Sequence, residues 1–432
     1  MTQPIRTNPT VSSETPLPSR RKFIQNSGVI SAGVASTFAS TRVLRGSEPA
    51  ESKPEPIRLG LVGAGGRGSG AINDSLSIND NVQLVAVADL VEQKCQNICK
   101  SLASRYADKL DVKPSDMHHG LDAYKRVLDN KDVDVVLFAT PPGFRAPYVL
   151  DAVDAGKHVF AEKPTCVDPA GYRQCLEADK KARANQTAIV TGTQYRRQTN
   201  YVEAIKRIHE GEIGDIISGT ARYCSNGIWY RQRKEGMSDA EYQLYNWMHF
   251  VWLSGDQISE QAVHNIDTIN WIMGGPPVSA YGGGGRFYVY PGDRVVSFMC
   301  RQIPDTKSDN SNVIYGTKGT CTILGGNSGA SIKTRDGKTT WEMSGDIGAA
   351  YKQEHKDLVD SIREGKPIVE FAETAASSLT AVLGRMAAYT GQAVTWDFVA
   401  NESKLDLVPS DLDIKGPGAP RGFAVPGKEE LV

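Results

Sequence analysis

The chain has 432 residues, enough for two or three domains, and its 40% apolar, 23% charged and 8% aromatic residues exclude a disordered or collagen-like chain. With 49 Lys and Arg against 50 Asp and Glu the net charge is −1, a poor footprint for binding nucleic acid. No apolar run reaches the roughly 18 residues that a spanning helix needs.

The charge is unevenly spread. Residues 1–45 carry six basic residues and one acid, and the remainder is net −6. Residues 1–22 are rich in Ser, Thr and Pro and are not expected to fold. Ser19-Arg20-Arg21-Lys22-Phe23 then leads into a weakly apolar stretch diluted by Gly and Ser, ending in small residues near Ala39. Charged, apolar and small-residue zones in that order read as an export signal that is removed. The segment resembles a twin-arginine signal, whose passengers cross the membrane folded. It implies a periplasmic or otherwise exported protein, the twin-arginine export machinery as a partner, and a cofactor loaded before export. No Cys lies near Ala39, so no lipid anchor and no stable membrane attachment is expected. The seven Cys, at 95, 99, 166, 175, 224, 300 and 321, have the spacing of neither a zinc site nor a disulfide framework. Buried thiols are expected, with a Cys95–Cys99 bridge as the alternative, and no metal site.

After a linker over 46–55 the pattern changes to buried strands alternating with helices. Strands are predicted at 57–62, 82–89, 134–140, 158–162 and 187–191, and helices over about 91–106, 146–156 and 168–184. Near-continuous apolar strands alternating with helices mean a parallel sheet covered on both faces. Gly156 is a helix stop, and Asp168-Pro169 a helix start.

Gly63-Ala64-Gly65-Gly66-Arg67-Gly68 joins the first strand to the first helix, and Asp89 ends the second strand. This is the context in which a glycine-rich turn binds a dinucleotide. Gly63 permits the tight turn, Gly65 lets backbone approach the pyrophosphate, and Gly68 lets the helix pack closely. The helix N-terminus offers free N–H groups to the phosphates. Asp89 is placed to accept hydrogen bonds from the adenosine ribose, and its charge favours NAD over NADP.

Three further landmarks give the chain its family likeness: Ala139-Thr140-Pro141-Pro142, Ala161-Glu162-Lys163-Pro164, and Glu260-Gln261-Ala262-Val263-His264-Asn265-Ile266-Asp267 leading to Trp271 and Gly274-Gly275. With them, residues 56–400 resemble the Gfo/Idh/MocA oxidoreductases, which include glucose–fructose oxidoreductase and inositol dehydrogenase. The resemblance implies an α/β protein: an N-terminal Rossmann domain over 56–192, with a doubly wound parallel sheet, and a C-terminal α/β domain over 193–432, with a large, mostly antiparallel open sheet. It implies NAD held by the glycine turn, Asp89, Thr140, Pro141, Glu162 and Lys163, and a homodimer or homotetramer built on the outer face of the second sheet. Strands predicted at 215–223, 278–290, 294–302, 311–316 and 319–324, a hairpin turn at 316–319 and helices near 351–364 and 373–390 agree with it.

Oxidising a secondary alcohol needs a hydride acceptor and a base. His264 is the candidate base, because imidazole titrates near neutral pH. Glu260 precedes it by four residues, one helical turn if the segment is helical, and would orient the imidazole. Lys163, at the carboxyl edge of the sheet, would hold the nicotinamide ribose and the substrate hydroxyl and favour an alkoxide. Gln194 falls where the chain enters the second domain and is a candidate substrate contact. Arg196 and Arg197 are open between binding a polyhydroxyl or anionic substrate and a salt bridge, and Asp267 between substrate and a structural cap. Asn246–Trp252 is open between a stacking wall for a sugar and core. The expected function is NAD-dependent interconversion of alcohol and ketone on a sugar, inositol or sugar derivative. The alternatives within the family are a redox-neutral glycosidase, which oxidises its sugar transiently, and a non-catalytic dinucleotide- or sugar-binding regulator.

Overall fold

The computed structural model describes residues 55–282, 286–419 and 425–432. The expected export signal over 1–45 lies outside the described residues. Strands β1 (Ile57–Val62), β2 (Val82–Asp89), β3 (Met117–His119), β4 (Val135–Phe138), β5 (His158–Ala161) and β6 (Ile189–Thr191) form one parallel sheet in the order 3-2-1-4-5-6. Residues of both parities along β2 and β4 are buried, as a sheet covered on both faces requires. The strand order reverses between β1 and β4, which opens a crevice at their carboxyl ends.

The five expected strands of this sheet are present. The sixth, β3, is a three-residue edge strand of Met and His that carries no apolar pattern to announce it. The helix starts and stops also follow from local chemistry. Asp168 caps the helix Pro169–Asn185 by accepting from Gly171 N–H at 2.7 Å, with Pro169 as first helical residue. Gly156 takes up a left-handed φ of 72° just beyond the helix Arg145–Asp154.

A second sheet follows. It is built from β7 (Ile216–Ser225), β8 (Ser279–Gly282), β9 (Arg286–Tyr290), β10 (Arg294–Gln302), β11 (Asp309–Gly316), β12 (Gly319–Leu324), β13 (Ala330–Thr334), β14 (Thr339–Met343) and β15 (Val394–Thr395). The order is 14-13-12-11-7-10-9-8-15, and every neighbouring pair is antiparallel except β7 with β10. The segment 278–290, expected as one strand, holds two. Helices Val263–Met273 and Phe371–Thr390 pack on one face, where Phe298 and Ile314 are buried. Register places exposed Tyr281, Met299 and Leu324 on the other face.

Chain order and packing part company at the helix Ile347–Arg363. It comes from the C-terminal stretch yet covers the parallel sheet: Leu358 and Val359 are buried with Leu59, Leu61 and Ile72. The rings of His355 and Phe160 lie 4.2 Å apart. The first core is thus completed by residues beyond 346, on the far side of the expected division at residue 192. The seven Cys are free thiols and all but Cys300 are buried, so the Cys95–Cys99 bridge is not formed.

Candidate active site

The turn after β1 has the geometry that its glycines suggest. Gly63 has φ 96°, and a Cβ there would sit 2.7 Å from the Ala139 carbonyl carbon. A Cβ on Gly68 would lie 1.8 Å from the Gly63 oxygen, so the helix Gly66–Ile78 packs against the turn without room for a methyl. Gly65 and Gly66 differ: nothing of the protein lies within 4 Å of a Cβ built on either. That open surface at a helix N-terminus is what a pyrophosphate would occupy.

The cleft beside this turn is lined by Gly63, Gly65, Gly66, Asp89, Thr140 and Pro141, and walled by Tyr124, Phe144, Tyr148 and Trp247. Asp89 ends β2 nearly buried. Its oxygens accept from Ala64 N–H at 2.8 Å and Val91 N–H at 3.0 Å, and Lys94 Nζ lies 3.3 Å away. Oδ1 is shared by Val91 N–H and Lys94, while Oδ2, which accepts from Ala64 N–H, keeps a further lone pair for a ribose hydroxyl.

A second cavity adjoins the first and shares Arg67, Ala139, Thr140 and Trp247 with it. Thr140 Oγ1 and Arg67 Nη2, on this shared wall, are buried with no hydrogen-bond partner among the described residues. Buried polar atoms are seldom left so, which marks the wall as a place for a bound molecule. Arg67 Nε donates to Glu162 at 2.5 Å, and its guanidinium lies 4.6 Å over the Tyr351 ring. The orphaned atoms, the open glycine surface and the placement of Asp89 fit a dinucleotide laid from the first cavity into the second.

The second cavity gathers Lys163, Gln194, Glu260 and His264 with Arg145, Tyr195, Tyr223, Gln261 and Tyr351. Lys163 Nζ donates to the Glu260 backbone carbonyl at 2.6 Å and to its Oε1 at 3.2 Å. The other carboxylate oxygen, Oε2, is buried without a partner. Burial raises the Glu260 pKa above the usual carboxylate range, against the pull of Lys163 and Arg145. Burial, and then the charges of Lys163 and Arg67, hold the His264 pKa well below that of free imidazole, so the ring is neutral.

Glu260 does not orient His264. The helix breaks between them: Glu260 ends the short helix Gln257–Glu260, and His264 lies in the first turn of Val263–Met273. The carboxylate turns to Lys163 instead. Two other candidates lie outside the cavity lining. Arg197 is locked to Glu370 at 2.9 and 3.0 Å and to Asp357 at 3.2 Å. Asp267 accepts two hydrogen bonds from Arg196, both at 2.8 Å, and one from Ser377 at 2.7 Å. Both are joints between elements rather than substrate contacts. In the aromatic stretch, Trp247 is wall and Trp252 is core.

Sequence reasoning missed Arg145, Tyr195, Tyr223 and Tyr351 as cavity residues. Arg145 is buried and donates to the carbonyls of Thr140 and Pro164, tying together the loops that follow β4 and β5. Its signal was a basic residue opening a helix whose other charges, Asp151 and Asp154, fall in its second half. Tyr351 arrives on the helix Ile347–Arg363, from far along the chain, with no local signal.

Residues 57–190 match the model of the Gfo/Idh/MocA oxidoreductase family, described as an NAD-binding Rossmann fold. A glycosyl hydrolase family 109 protein of Shewanella pealeana is 25% identical over 230 residues, covering 50% of this chain and 48% of that protein. An inositol 2-dehydrogenase of Salmonella agona is 26% identical over 217 residues, 50% of this chain and 54% of that one. The chain thus spans about half the length of the curated relatives it matches. Among solved structures, a levoglucosan dehydrogenase in complex with NADH and levoglucosan superposes with a TM-score of 0.61 at 17% identity, covering 79% of this chain and 99% of that one. A myo-inositol 2-dehydrogenase from Lactobacillus plantarum gives 0.60 at 18% identity, covering 79% and 99%. These likenesses show that the two-sheet fold is shared beyond residue 190.

Proposed function

We propose that the chain is an exported NAD-dependent oxidoreductase that interconverts a secondary alcohol and a ketone on a sugar, inositol or sugar derivative. The observation that carries this is one cavity wall bearing Lys163, Glu260 and His264, continuous through Arg67 and Thr140 with the cleft of the glycine turn.

The glycine turn and Asp89 would hold the two ends of the adenosine diphosphate part, and Thr140, Arg67 and Lys163 would border the nicotinamide part. When bound, NAD supplies a two-electron acceptor for the hydride of a carbinol C–H. Lys163, fixed by two contacts to Glu260, places an ammonium beside the substrate oxygen and favours its negative charge. Neutral His264 takes the hydroxyl proton on a ring nitrogen and returns it in the reverse direction. Glu260 Oε2, still unpartnered, accepts from a neighbouring substrate hydroxyl and orients the substrate's sugar or cyclitol ring. Export of a folded chain favours tight retention of the dinucleotide. Denaturing the purified protein should therefore release roughly one NAD(H) per chain. A clean apoprotein that fails to bind added NAD would reject the reading.

A second reading, redox-neutral glycoside cleavage, is supported by the relatives among glycosyl hydrolase family 109 proteins, one of them an alpha-N-acetylgalactosaminidase of Shewanella oneidensis at 24% identity. Hydrolysis without net NADH would favour it. For assembly, Tyr281, Met299 and Leu324 on the outer face of the second sheet support a homodimer or homotetramer. A monomer mass by light scattering would exclude it.

A further inference from the structure

The connection from β7 to the helix Asp239–Tyr245 carries Trp229-Tyr230-Arg231-Gln232-Arg233-Lys234, which the proposed chemistry leaves unused. All six residues are exposed, yet the segment is held in place. Fully buried Asn246 accepts from Arg231 N–H at 2.9 Å and donates to the Arg231 carbonyl at 3.0 Å. The hydroxyls of Tyr230 and Tyr242 are hydrogen-bonded, and His249 Nε2 lies 2.9 Å from the Trp229 carbonyl. Fixing exposed side chains costs conformational entropy, and a buried amide committed to that end makes this a built surface.

The surface continues the catalytic cavity outward. Trp247, next to Asn246 in the chain, lines the cavity of Lys163, and the Trp229 ring lies 6.4 Å from it. The Arg231 guanidinium stands 3.9 Å over Trp229 and 4.9 Å from Tyr245, and Lys234 Nζ is 5.3 Å from Tyr245. Indole, indole, guanidinium, phenol and ammonium thus follow one another away from the reacting groups. Arg233 is paired with Asp239 at 2.6 Å. Arg231 donates to the Tyr245 carbonyl, and among the described residues neither it nor Lys234 is paired with a carboxylate. Flat aromatic faces suit the C–H faces of sugar rings, and unneutralised cations beside them suit an anion.

We infer that Trp229, Arg231 and Lys234 bind an acidic sugar unit joined to the ring that enters the cavity, so that the substrate is a saccharide of two or more units bearing a carboxylate or a sulfate ester on the outer one. This deepens the oxidoreductase reading and rests on it for the fate of the inner ring. Saccharide binding itself needs no turnover, so the two ideas can fail separately.

The test is calorimetric titration of the NAD-loaded full chain with a glucuronic acid-containing disaccharide, a sulfated disaccharide, and neutral lactose. At least one acidic ligand should bind roughly tenfold tighter than lactose, and added salt should weaken that binding but not lactose binding. K234Q should cost about five- to tenfold for the acidic ligand while lactose, monosaccharide and NAD affinities hold, and W229A should cost about five- to tenfold for the acidic ligand and weaken lactose as well, while monosaccharide and NAD affinities hold. The preference between carboxylate and sulfate identifies the anion. Equal affinity for acidic and neutral disaccharides overturns the inference, as do W229A and K234Q proteins with unchanged melting curves that bind the acidic ligand within twofold of wild type. Failure to bind NAD, measured separately, would sink the redox reading and leave the saccharide result to stand on its own.

Discussion

At the scale of single residues, the site is a set of charges removed from water and left partly unpaired. Among the described residues, Lys163 is the one cation paired directly with Glu260. Replacing it by Met should lower kcat by roughly a thousandfold, the cost of removing a preorganised electrostatic partner, while NAD still binds measurably. Activity within tenfold of wild type would mean that another group does this work. Because burial keeps His264 neutral to well below pH 6.5, the acid limb of kcat/KM for alcohol oxidation should also lie below 6.5. Behind the cavity, Glu354 and His355 are buried with no hydrogen-bond partner among the described residues for either carboxylate oxygen or either ring nitrogen. Burial, and then Glu162, push the Glu354 pKa well above 4.5, whereas burial lowers His355 to about 3. As pH rises past 4.5 an unfolded glutamate gives up its proton and the buried one keeps it, so the Glu354 term costs stability increasingly until its own raised pKa is reached. His355 acts in the opposite sense, costing stability as pH falls from 6.5 toward about 3. The E354Q protein removes only the first term. It should be more stable than wild type above pH 4.5, with a gap in Tm that widens as pH rises. A constant or shrinking gap would mean that Glu354 is ionised in the folded protein.

At the scale of elements, the glycine turn separates folding from binding within six residues. G68A puts a methyl into the Gly63 carbonyl and should destabilise by roughly 1–3 kcal/mol, read as a lower Tm. G65A meets no protein atom, so Tm should hold while NAD affinity falls by about tenfold or more, because the methyl enters the pyrophosphate's space. Equal NAD affinity in wild type and G65A would remove the dinucleotide from this turn. Elements of this kind were legible in the sequence because their signals are local. The alternation of apolar strands and helices, the glycine spacing, Asp168-Pro169 and Gly156 each carry a structural instruction within a few residues. Lys163, Gln194, Glu260 and His264 were legible as one site through their motifs. What those side chains do to one another was not: a four-residue spacing suggested that Glu260 serves His264, and a two-residue break in the helix hands it to Lys163. Arg197 and Asp267 looked equally free for substrate. Their partners Glu370, Asp357, Arg196 and Ser377 include groups more than 100 residues away, which no local pattern reveals.

At the scale of the whole molecule, the helix Ile347–Arg363 decides how the two sheets depend on each other. It lies far along the chain, carries Tyr351 to Arg67 at the cavity, and buries Leu358 against the parallel sheet. The parallel sheet can therefore complete its core only when the C-terminal stretch has folded onto it. All six tryptophans stand at or beyond position 229, so intrinsic fluorescence reports the second part of the chain, whereas far-ultraviolet circular dichroism reports both. If the helix couples the parts, the two denaturation curves superpose, since a shared element leaves no intermediate with one sheet folded. L358A sharpens the test. It opens a cavity where this helix packs on the parallel sheet and on the helix Gly66–Ile78, and should cost about 2–5 kcal/mol. In a coupled molecule that loss moves the fluorescence midpoint by as much as the circular dichroism midpoint. If the fluorescence curve stays in place while an earlier dichroism transition splits away, the parallel sheet unfolds alone, and a cavity walled by both parts of the chain would lose its Lys163 side before its His264 side.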